Sequence, residues 1–422
     1  MANITIPLLG LLDTAIAGHL GAAAYLGAIS VGAMMFNLIY WNFGFLRMGT
    51  SGLTAQAYGT GDRMAQARIL QQSSLLGLAI ALGILLFQVP LQVFTLWLIG
   101  PGDDVRRLAM TYYYIGIWGA PPLLVMMAVK GWLLGMQDSY RAMAVSVVVN
   151  VLNIIISLIA VYCFDMGFAG IAVGTVAAEW LGLGYSAWIM ARRYGWLKHY
   201  LGWSTALSHD DVRKFFNVNG DIFVRSALMM VVMLFFMAVG ARSGDLLLAV
   251  NALIMQMFTL YSYFLDGVAF AGEAIVGKYC GKGDNERLAL AVKRLFLWGV
   301  VFTAVFTVAY AFPQSIFSLL TDDITVIEAA LQYRLWCALI PIAGMAAFVW
   351  DGIYIGMTRT RGMLVAVLVA FVVFFAVFWL SPATWGNDRL WLAYIVFLAT
   401  RGIVQTLLYR RVRRQVFINP NN

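Results

Sequence analysis

The chain has 422 residues, of which 62% are hydrophobic and only 11% charged, with a formal net charge of +8. An ordinary soluble domain carries roughly 25% charged residues, and no soluble fold could hide this much apolar side chain. The positive balance does not read as nucleic-acid binding, because the basic residues stand at the ends of apolar runs and no basic-aromatic groove pattern is present.

The apolar runs are long and continuous rather than alternating, which indicates membrane-spanning helices and not the strands of a membrane barrel. In chain order they predict helices near 3–19, 25–57, 66–98, 106–135, 141–163 and 169–194, then 216–241, 246–280, 286–319, 327–357, 361–380 and 387–410. The 25–57 and 246–280 stretches exceed one straight span, so tilt, kinks or extension beyond the bilayer must absorb the excess. The first run begins almost at Met1 with no charged flank ahead of it. The first helix is therefore expected to be truncated, and the run is not a cleavable signal peptide.

Alternate connections hold most of the positive charge, from Arg63 and Arg68 through Arg141, Arg192, Arg193, Lys198, Lys282, Arg287, Arg359 and Arg361 to the Arg410–Arg414 cluster. The positive-inside rule makes these connections cytoplasmic and, over twelve spans, puts both termini inside, at the plasma (inner) membrane. YGTGD at Tyr58–Asp62 recurs as CGKGD at Cys280–Asp284, and GWLLGMQDSYR from Gly131 recurs as GIYIGMTRTRG from Gly352, at offsets of 222 and 221 residues. Two matches at nearly one offset imply two parallel six-helix repeats. The expected organisation is a lobe over 1–196, a cytoplasmic linker over 197–215, a second lobe over 216–412 and a cytoplasmic tail over 413–422. Parallel repeats of this kind place substrate and ion sites at or near the repeat interface, with alternating access by rocking of one half against the other.

An acid or base in the hydrocarbon costs about 2.5–3.5 kcal/mol on insertion scales, so it persists where it is paired, hydrated or used. These residues are Asp13, Arg47, Lys130 and Glu179 in the first half, and Asp221, Arg225, Asp266, Glu273, Asp351 and Arg401 in the second. Asp13, in LLGLLDTAIAG, has apolar residues on both sides and small neighbours, Gly10 and Ala17, that let another helix approach. It is the expected ion-coupling carboxylate. A carboxyl taken out of water favours its neutral form, so one group can accept a proton outside and release it inside as its surroundings change. The competing reading is a permanent pair with Lys130. Lys130 itself lies roughly 9 Å along its helix from the QDSYR turn, so its stem either faces the central pocket or snorkels to the cytoplasmic surface.

Arg47 and Arg401 read as structural, since an always-charged guanidinium cannot titrate usefully; Glu179 joins them. Arg225 stands four residues after Asp221 and reads as its local partner. Asp266 and Glu273 are seven apart and share one helical face, which makes them substrate-pocket candidates. Asp351 occupies the repeat position of Lys130, so symmetry puts both or neither near the central interface. Asn150, Asn153 and Thr175 are suited to coordinating an ion or a hydroxyl-bearing ligand, or to bonding helix to helix. Twenty-one methionines and a 14% aromatic fraction suit adaptable binding of varied apolar cations. No HExxH, GxSxG or paired carboxylate-metal signature appears, and the three cysteines and three histidines show no ligand spacing, so no enzyme, metal or cofactor is expected.

The segments PLLGLLDTAIAGHLG, FLRMGTSGLTAQAYGTGD, GWLLGMQDSYRAM, NVLNIIIS with GFAGIAVGTVAAEW, and FLDGVAFAGEAIVGKYCGKGD together resemble the multidrug and toxic compound extrusion (MATE) family, specifically its DinF-like branch. The resemblance covers the chain except the start of the first helix. It implies two six-helix lobes around a V-shaped cavity, and drug or toxin efflux driven by H⁺ or Na⁺. By motif, Asp13 corresponds to a first-helix carboxylate whose protonation is thought to bend that helix and displace substrate. Asn153 and Thr175 correspond to polar residues of the same amino-terminal pocket. Two positions depart from the family pattern. Ser157 stands where many relatives have an aspartate, and Lys130 where a small polar or apolar residue is common. A pocket missing one acid and gaining one base should hold Na⁺ poorly, since a hard cation wants several oxygens while a proton needs one carboxylate. The reading is thus a proton-coupled antiporter for small organic, cationic or amphipathic compounds, acting as a monomer among membrane lipids. The alternatives are a flippase for lipid-linked substrates, which would favour a more basic cavity, and a non-transporting scaffold.

Overall fold

The computed structural model describes residues 16, 23–200, 202 and 209–418, and among them the regular structure is helical with no strand. In the first part of the chain the helices are α1 Ala23–Tyr40, α2 Phe45–Thr60, α3 Arg63–Leu86, α4 Gln88–Ile99, α5 Asp103–Gly116, α6 Ala120–Gly135, α7 Ser139–Leu158 and α8 Phe168–Arg193. The second part has α9 His209–Arg242, α10 Asp245–Gly281, α11 Asn285–Ala311, α12 Gln314–Leu320, α13 Ile324–Leu331, α14 Arg334–Gly356, α15 Thr360–Leu380 and α16 Asp388–Ile418. Among the described residues, 11 helical stretches are long and apolar enough to cross a membrane, with α1 and α2 forming one and α5 and α6 another. The helix expected near 3–19 lies outside the described residues. In hydrocarbon every backbone polar group must be satisfied within its own segment, which continuous helices achieve. The chain is an all-α, multi-pass membrane protein.

Several runs that read as single helices are broken, among them 106–135, which a 3₁₀ segment at Ile117–Gly119 divides into α5 and α6. The 66–98 run divides at Phe87, and Pro90 then falls in the first turn of α4, where its missing N–H breaks no helical bond. The 286–319 run stops at Ala311 ahead of Pro313, and α12 starts immediately after that proline. The 327–357 run is two helices, α13 and α14, hinged at Gln332 and Tyr333. In the over-long 25–57 run the excess is taken up by a 3₁₀ segment, Trp41–Gly44, between α1 and α2.

The chain divides at residue 216 into two compact units. In the first, α6 packs on α2, α3 and α8, and α7 lies against α8. In the second, α14 packs on α10, α11 and α16, and α15 lies against α16. These are the same pairs shifted by the sequence repeat, and local detail recurs with them. Gly61 and Gly283 both turn the chain with positive φ, +75° and +69°, a conformation glycine adopts without steric cost. The aspartates that follow cap the next helices: Asp62 accepts from the Ala65 N–H at 3.0 Å and Asp284 from the Arg287 N–H at 2.9 Å. Gln137 and Thr358, one repeat apart, both have positive φ despite carrying side chains.

The closest helix crossings also recur, and two small-xxx-small motifs create them. A methyl group at Gly131 would collide with the Arg47 backbone, and one at Gly135 would lie 2.7 Å from the Ser51 carbonyl oxygen. In the second unit Gly352 abuts the Ala269 backbone, and a methyl at Gly356 would lie 3.0 Å from the Glu273 carbonyl oxygen. Each glycine pair thus lays α6 on α2 or α14 on α10 at backbone contact. In a bilayer, where apolar burial offers little driving force between helices, such close van der Waals packing holds a bundle together.

Candidate functional site

In the first unit α7 crosses α8 where a methyl group at Gly174 would overlap Ser157. That approach places three polar side chains in one chain of hydrogen bonds. Asn153 Nδ2 donates to Thr175 Oγ1 at 3.1 Å, and Ser157 Oγ donates to Asn153 Oδ1 at 3.3 Å. The Thr175 hydroxyl also donates to the Ile171 carbonyl at 3.1 Å. Asn153 and Ser157 are buried, so these bonds satisfy groups that would otherwise be costly in the hydrocarbon. Just beyond Ser157, Ile159–Cys163 winds as a π-helical turn, a distortion common beside functional sites. Asn153, Ser157 and Thr175 are therefore brought together. Asp13, their expected partner, lies outside the described residues.

Glu179 follows Thr175 by one turn of α8, so the two share a face. Its carboxylate rests against Gly119, where any side chain would strike Oε2, in the 3₁₀ segment Ile117–Gly119 that leads into α6. The neighbouring Trp180 Nε1 donates to the Trp118 carbonyl at 3.2 Å and pins α8 to that segment. Lys130 on α6 feels the charges of Arg47 on α2 and of Glu179. A helical side chain leans toward the N-terminus of its helix. On α6 that direction runs away from the Gln137–Asp138 turn and toward the level of Glu179. Tyr40, at the end of α1, also lies in the electrostatic range of Glu179. Glu179, a residue that the sequence reads as structural, therefore packs against the segment leading into α6, within electrostatic range of Tyr40 on α1 and Lys130 on α6.

In the second unit Asp351 is closed off. Its Oδ2 accepts from Arg225 and, at 2.8 Å, from Arg401; its Oδ1 accepts from Gln405 Nε2 at 2.7 Å. Both carboxylate oxygens are engaged, and all four residues are buried. The expected Arg225–Asp221 pair does not form. Arg225 reaches across to α14, while Asp221 accepts from the Thr360 hydroxyl at 2.8 Å. Four-residue spacing allows an ion pair but does not compel it when a more buried carboxylate needs a cation. Asp351 is thus a cross-brace between α9, α14 and α16, and Arg401 is part of the same brace. Glu273 and Asp266 both lie on α10; Glu273 is buried, one turn from where Gly352 packs, and Asp266 is partly exposed. Gln405 escaped the sequence reading because a glutamine in an apolar helix carries no charge to flag it. Tyr40 stood there only among many aromatic residues.

Outside the spans, Asp138 forms a polar lock between α7 and the end of α8. It caps α7 by accepting from the Arg141 N–H at 3.3 Å, pairs with the Arg141 guanidinium, and accepts from the Tyr194 hydroxyl at 2.7 Å. Partial burial pushes its carboxyl up, but the bonds from Arg141 and Tyr194 outweigh that and hold it below the usual aspartate range.

The chain is similar to known proteins over nearly its whole length. The MatE family model matches it twice, over residues 1–159 and 222–380, so the two matches begin one sequence repeat apart. The chain is 35% identical over 412 residues to DNA damage-inducible protein F of Escherichia coli (strain K12), covering 97% of this chain and 89% of that protein. It is 25% identical to the probable multidrug resistance protein NorM of Rhizobium meliloti (strain 1021), covering 97% and 90% of the two chains. Among solved structures, the fold is similar to that of the Vibrio cholerae MATE transporter VcmN in its bent form. The TM-score is 0.82 and the identity 18%, with 99% of this chain and 95% of that one covered. The repeat, the eleven described spans and these matches agree, and the chain belongs to the multidrug and toxic compound extrusion family, as a transporter similar to DNA damage-inducible protein F.

Proposed function

We propose that the chain is a secondary antiporter that exports small organic compounds, cationic or amphipathic, in exchange for H⁺. Asp13 carries the coupling proton, and the lobes rock between two access states, as the family resemblance implies. The observation that supports H⁺ over Na⁺ is the composition of the Asn153–Ser157–Thr175 chain. It holds one amide and two hydroxyls, already bonded to one another, and Ser157 brings no second carboxylate. A hard cation needs several free oxygens, whereas a proton needs one carboxyl. The charge bias of the connections supports cytoplasmic termini.

The test is dye efflux from vesicles containing the purified protein under an imposed pH gradient, and separately under a Na⁺ gradient. Wild-type protein should respond to the pH gradient and Asp13→Asn should not. Unchanged pH-driven efflux in Asp13→Asn removes Asp13 from the coupling role, and efflux driven by Na⁺ alone removes the proton. A second reading rests on Lys130 and Arg47 standing near one another, since a basic pair suits a phosphate-bearing lipid-linked substrate. A flip assay with a fluorescent phospholipid in the same vesicles distinguishes the two.

A further inference from the structure

On the second unit a groove of about 400 Å³ runs along the seam between α14 and α16. Large branched side chains form its rims: Ile342 is 56% exposed, Ile403 58% and Leu407 73%, so they stand out into the hydrocarbon. Small residues form its floor, where a methyl at Gly402 would lie 2.7 Å from the Ala346 Cβ. Among the described residues that line it, one carries a hydroxyl, Thr406, and that group is occupied. It donates to the Gly402 carbonyl at 2.7 Å and accepts from Trp350 Nε1 at 2.7 Å. From Ala399 to Leu407 the groove follows eight residues of α16, about 12 Å at 1.5 Å per residue. That is close to the depth of one leaflet, half of a hydrocarbon core roughly 30 Å thick.

The groove leads to a basic end. Ala399, Ile403, Thr406 and Arg410 recur at spacings of four, three and four, the period of one helix face, so Arg410 continues the line of the groove. It stands three residues past Leu407, about 4.5 Å further along the axis. A helical side chain leans back toward the N-terminus of its helix, which for Arg410 is toward the groove. Arg410 and Arg411 are exposed, and among the described residues no carboxylate pairs with Arg410, Arg411 or Arg413. Arg413 is held by an amide instead: its Nε and Nη2 donate to Asn285 Oδ1 at 2.9 and 2.7 Å, which ties the end of α16 to the start of α11.

An apolar trough one leaflet deep, with guanidinium groups free of carboxylates at its mouth, matches an amphiphile with an acyl chain and a negative head. We propose that the α14–α16 groove binds an anionic phospholipid: one acyl chain lies in the groove, and the phosphate meets Arg410 with Arg411 beside it. Guanidinium groups bind phosphate through paired, charge-assisted hydrogen bonds, and basic residues at a bilayer surface attract anionic lipids. A neutral lipid fills the groove as well but offers the arginines no net charge. The groove therefore holds the chain and Arg410 selects the head.

Native mass spectrometry of the full-length protein, released from neutral-detergent micelles, separates these two roles. The protein is titrated with phosphatidylglycerol or with phosphatidylcholine of the same acyl chains. Wild type should prefer phosphatidylglycerol by about fivefold or more. Arg410 is exposed, so its replacement tests the site without disturbing the fold. Arg410→Gln should weaken phosphatidylglycerol about fivefold, the worth of one basic residue at a bilayer surface, and leave phosphatidylcholine within about twofold. Arg410→Lys should keep most of the affinity. Ala343→Phe, which fills the groove, should weaken both lipids, whereas Val372→Phe, at an exposed position of α15 outside it, should change neither. Arg192→Gln, in the last turn of α8 in the first unit, should move phosphatidylglycerol by less than about twofold. The site is refuted if Arg192→Gln costs as much as Arg410→Gln, which makes the attraction diffuse surface charge, or if Arg410→Gln weakens both lipids equally. It is also refuted if wild type is a dimer that Ala343→Phe dissociates and phosphatidylglycerol does not, since the face is then an interface between two copies. No gradient and no transported compound enters, so these outcomes stand apart from the coupling role of Asp13.

Discussion

Asp351→Asn removes the one carboxylate that Arg225 and Arg401 share. Arg401 is 1% exposed and Arg225 5%, so neither guanidinium can find water without moving its helix. The substitution leaves two buried cations facing each other where a carboxylate had held a net charge of +1. Breaking a buried ion pair by removing one partner costs about 3–5 kcal/mol, because an uncompensated charge stays behind. At about 1.4 kcal/mol per decade, that is a loss of roughly two to four orders of magnitude in the folding equilibrium. Denaturant titration of the purified protein, followed by tryptophan fluorescence, should show the midpoint falling accordingly. The triple variant Arg225→Met, Asp351→Leu, Arg401→Met removes charge and countercharge together and should recover most of the loss, since apolar replacements of a buried ionic cluster are often neutral or better. A wild-type midpoint in Asp351→Asn refutes the cross-brace; so does a triple variant weaker than the single one.

Gly135→Ala should cost about 1–3 kcal/mol, because its methyl meets the Ser51 carbonyl oxygen and the Ala55 nitrogen on another helix's backbone. Gly83→Ala, whose methyl meets nothing within 4 Å, should be neutral or stabilising in the same denaturant titration. Asp138→Asn keeps an oxygen that can cap α7 but loses the charge paired with Arg141, and should lower stability by about 0.2–1 kcal/mol at neutral pH. The folded-state carboxyl lies below its unfolded value, so the stabilisation is present above the unfolded pKa of about 3.9 and is lost as pH falls through the folded one. Melting curves of wild type and Asp138→Asn should therefore converge in acid; a gap that persists there contradicts the assignment. Asn251 exchanges bonds with Asn387 at 2.9 and 2.8 Å and accepts from Trp391 Nε1 at 2.9 Å. Asn251→Leu should cost about 1–3 kcal/mol for the partners left unbonded, read from the same denaturant midpoints.

The candidate site was half legible in the chain. Asn153, Ser157 and Thr175 could be grouped from sequence because they sit on two successive helices at a recognisable motif, and the structure bonds them to one another. Charge alone drew attention to Lys130 and Asp351, and repeat symmetry put both or neither near the central interface. Within their own units their surroundings differ: Asp351 is enclosed by two arginines and an amide, while Lys130 lies in the electrostatic range of Arg47 and Glu179. Repeat position conserves the backbone crossing, as the glycines at 131 and 352 show, but not the chemistry of the side chain beside it.

The number and placement of the apolar spans, the duplication and the family all followed from the sequence by itself, because they rest on run length and on strings recurring at one offset. Both survive any rearrangement of packing. The sequence reading ran single helices through Phe87 and Ala311, and the structure breaks both runs there. Tertiary structure alone decided the partners of the buried charges. Spacing along a helix states which residues a side chain can reach on its own turn. Which neighbouring helix stands opposite determines that Arg225 leaves Asp221 for Asp351, that Gln405 completes that brace, and that Glu179 rests against Gly119.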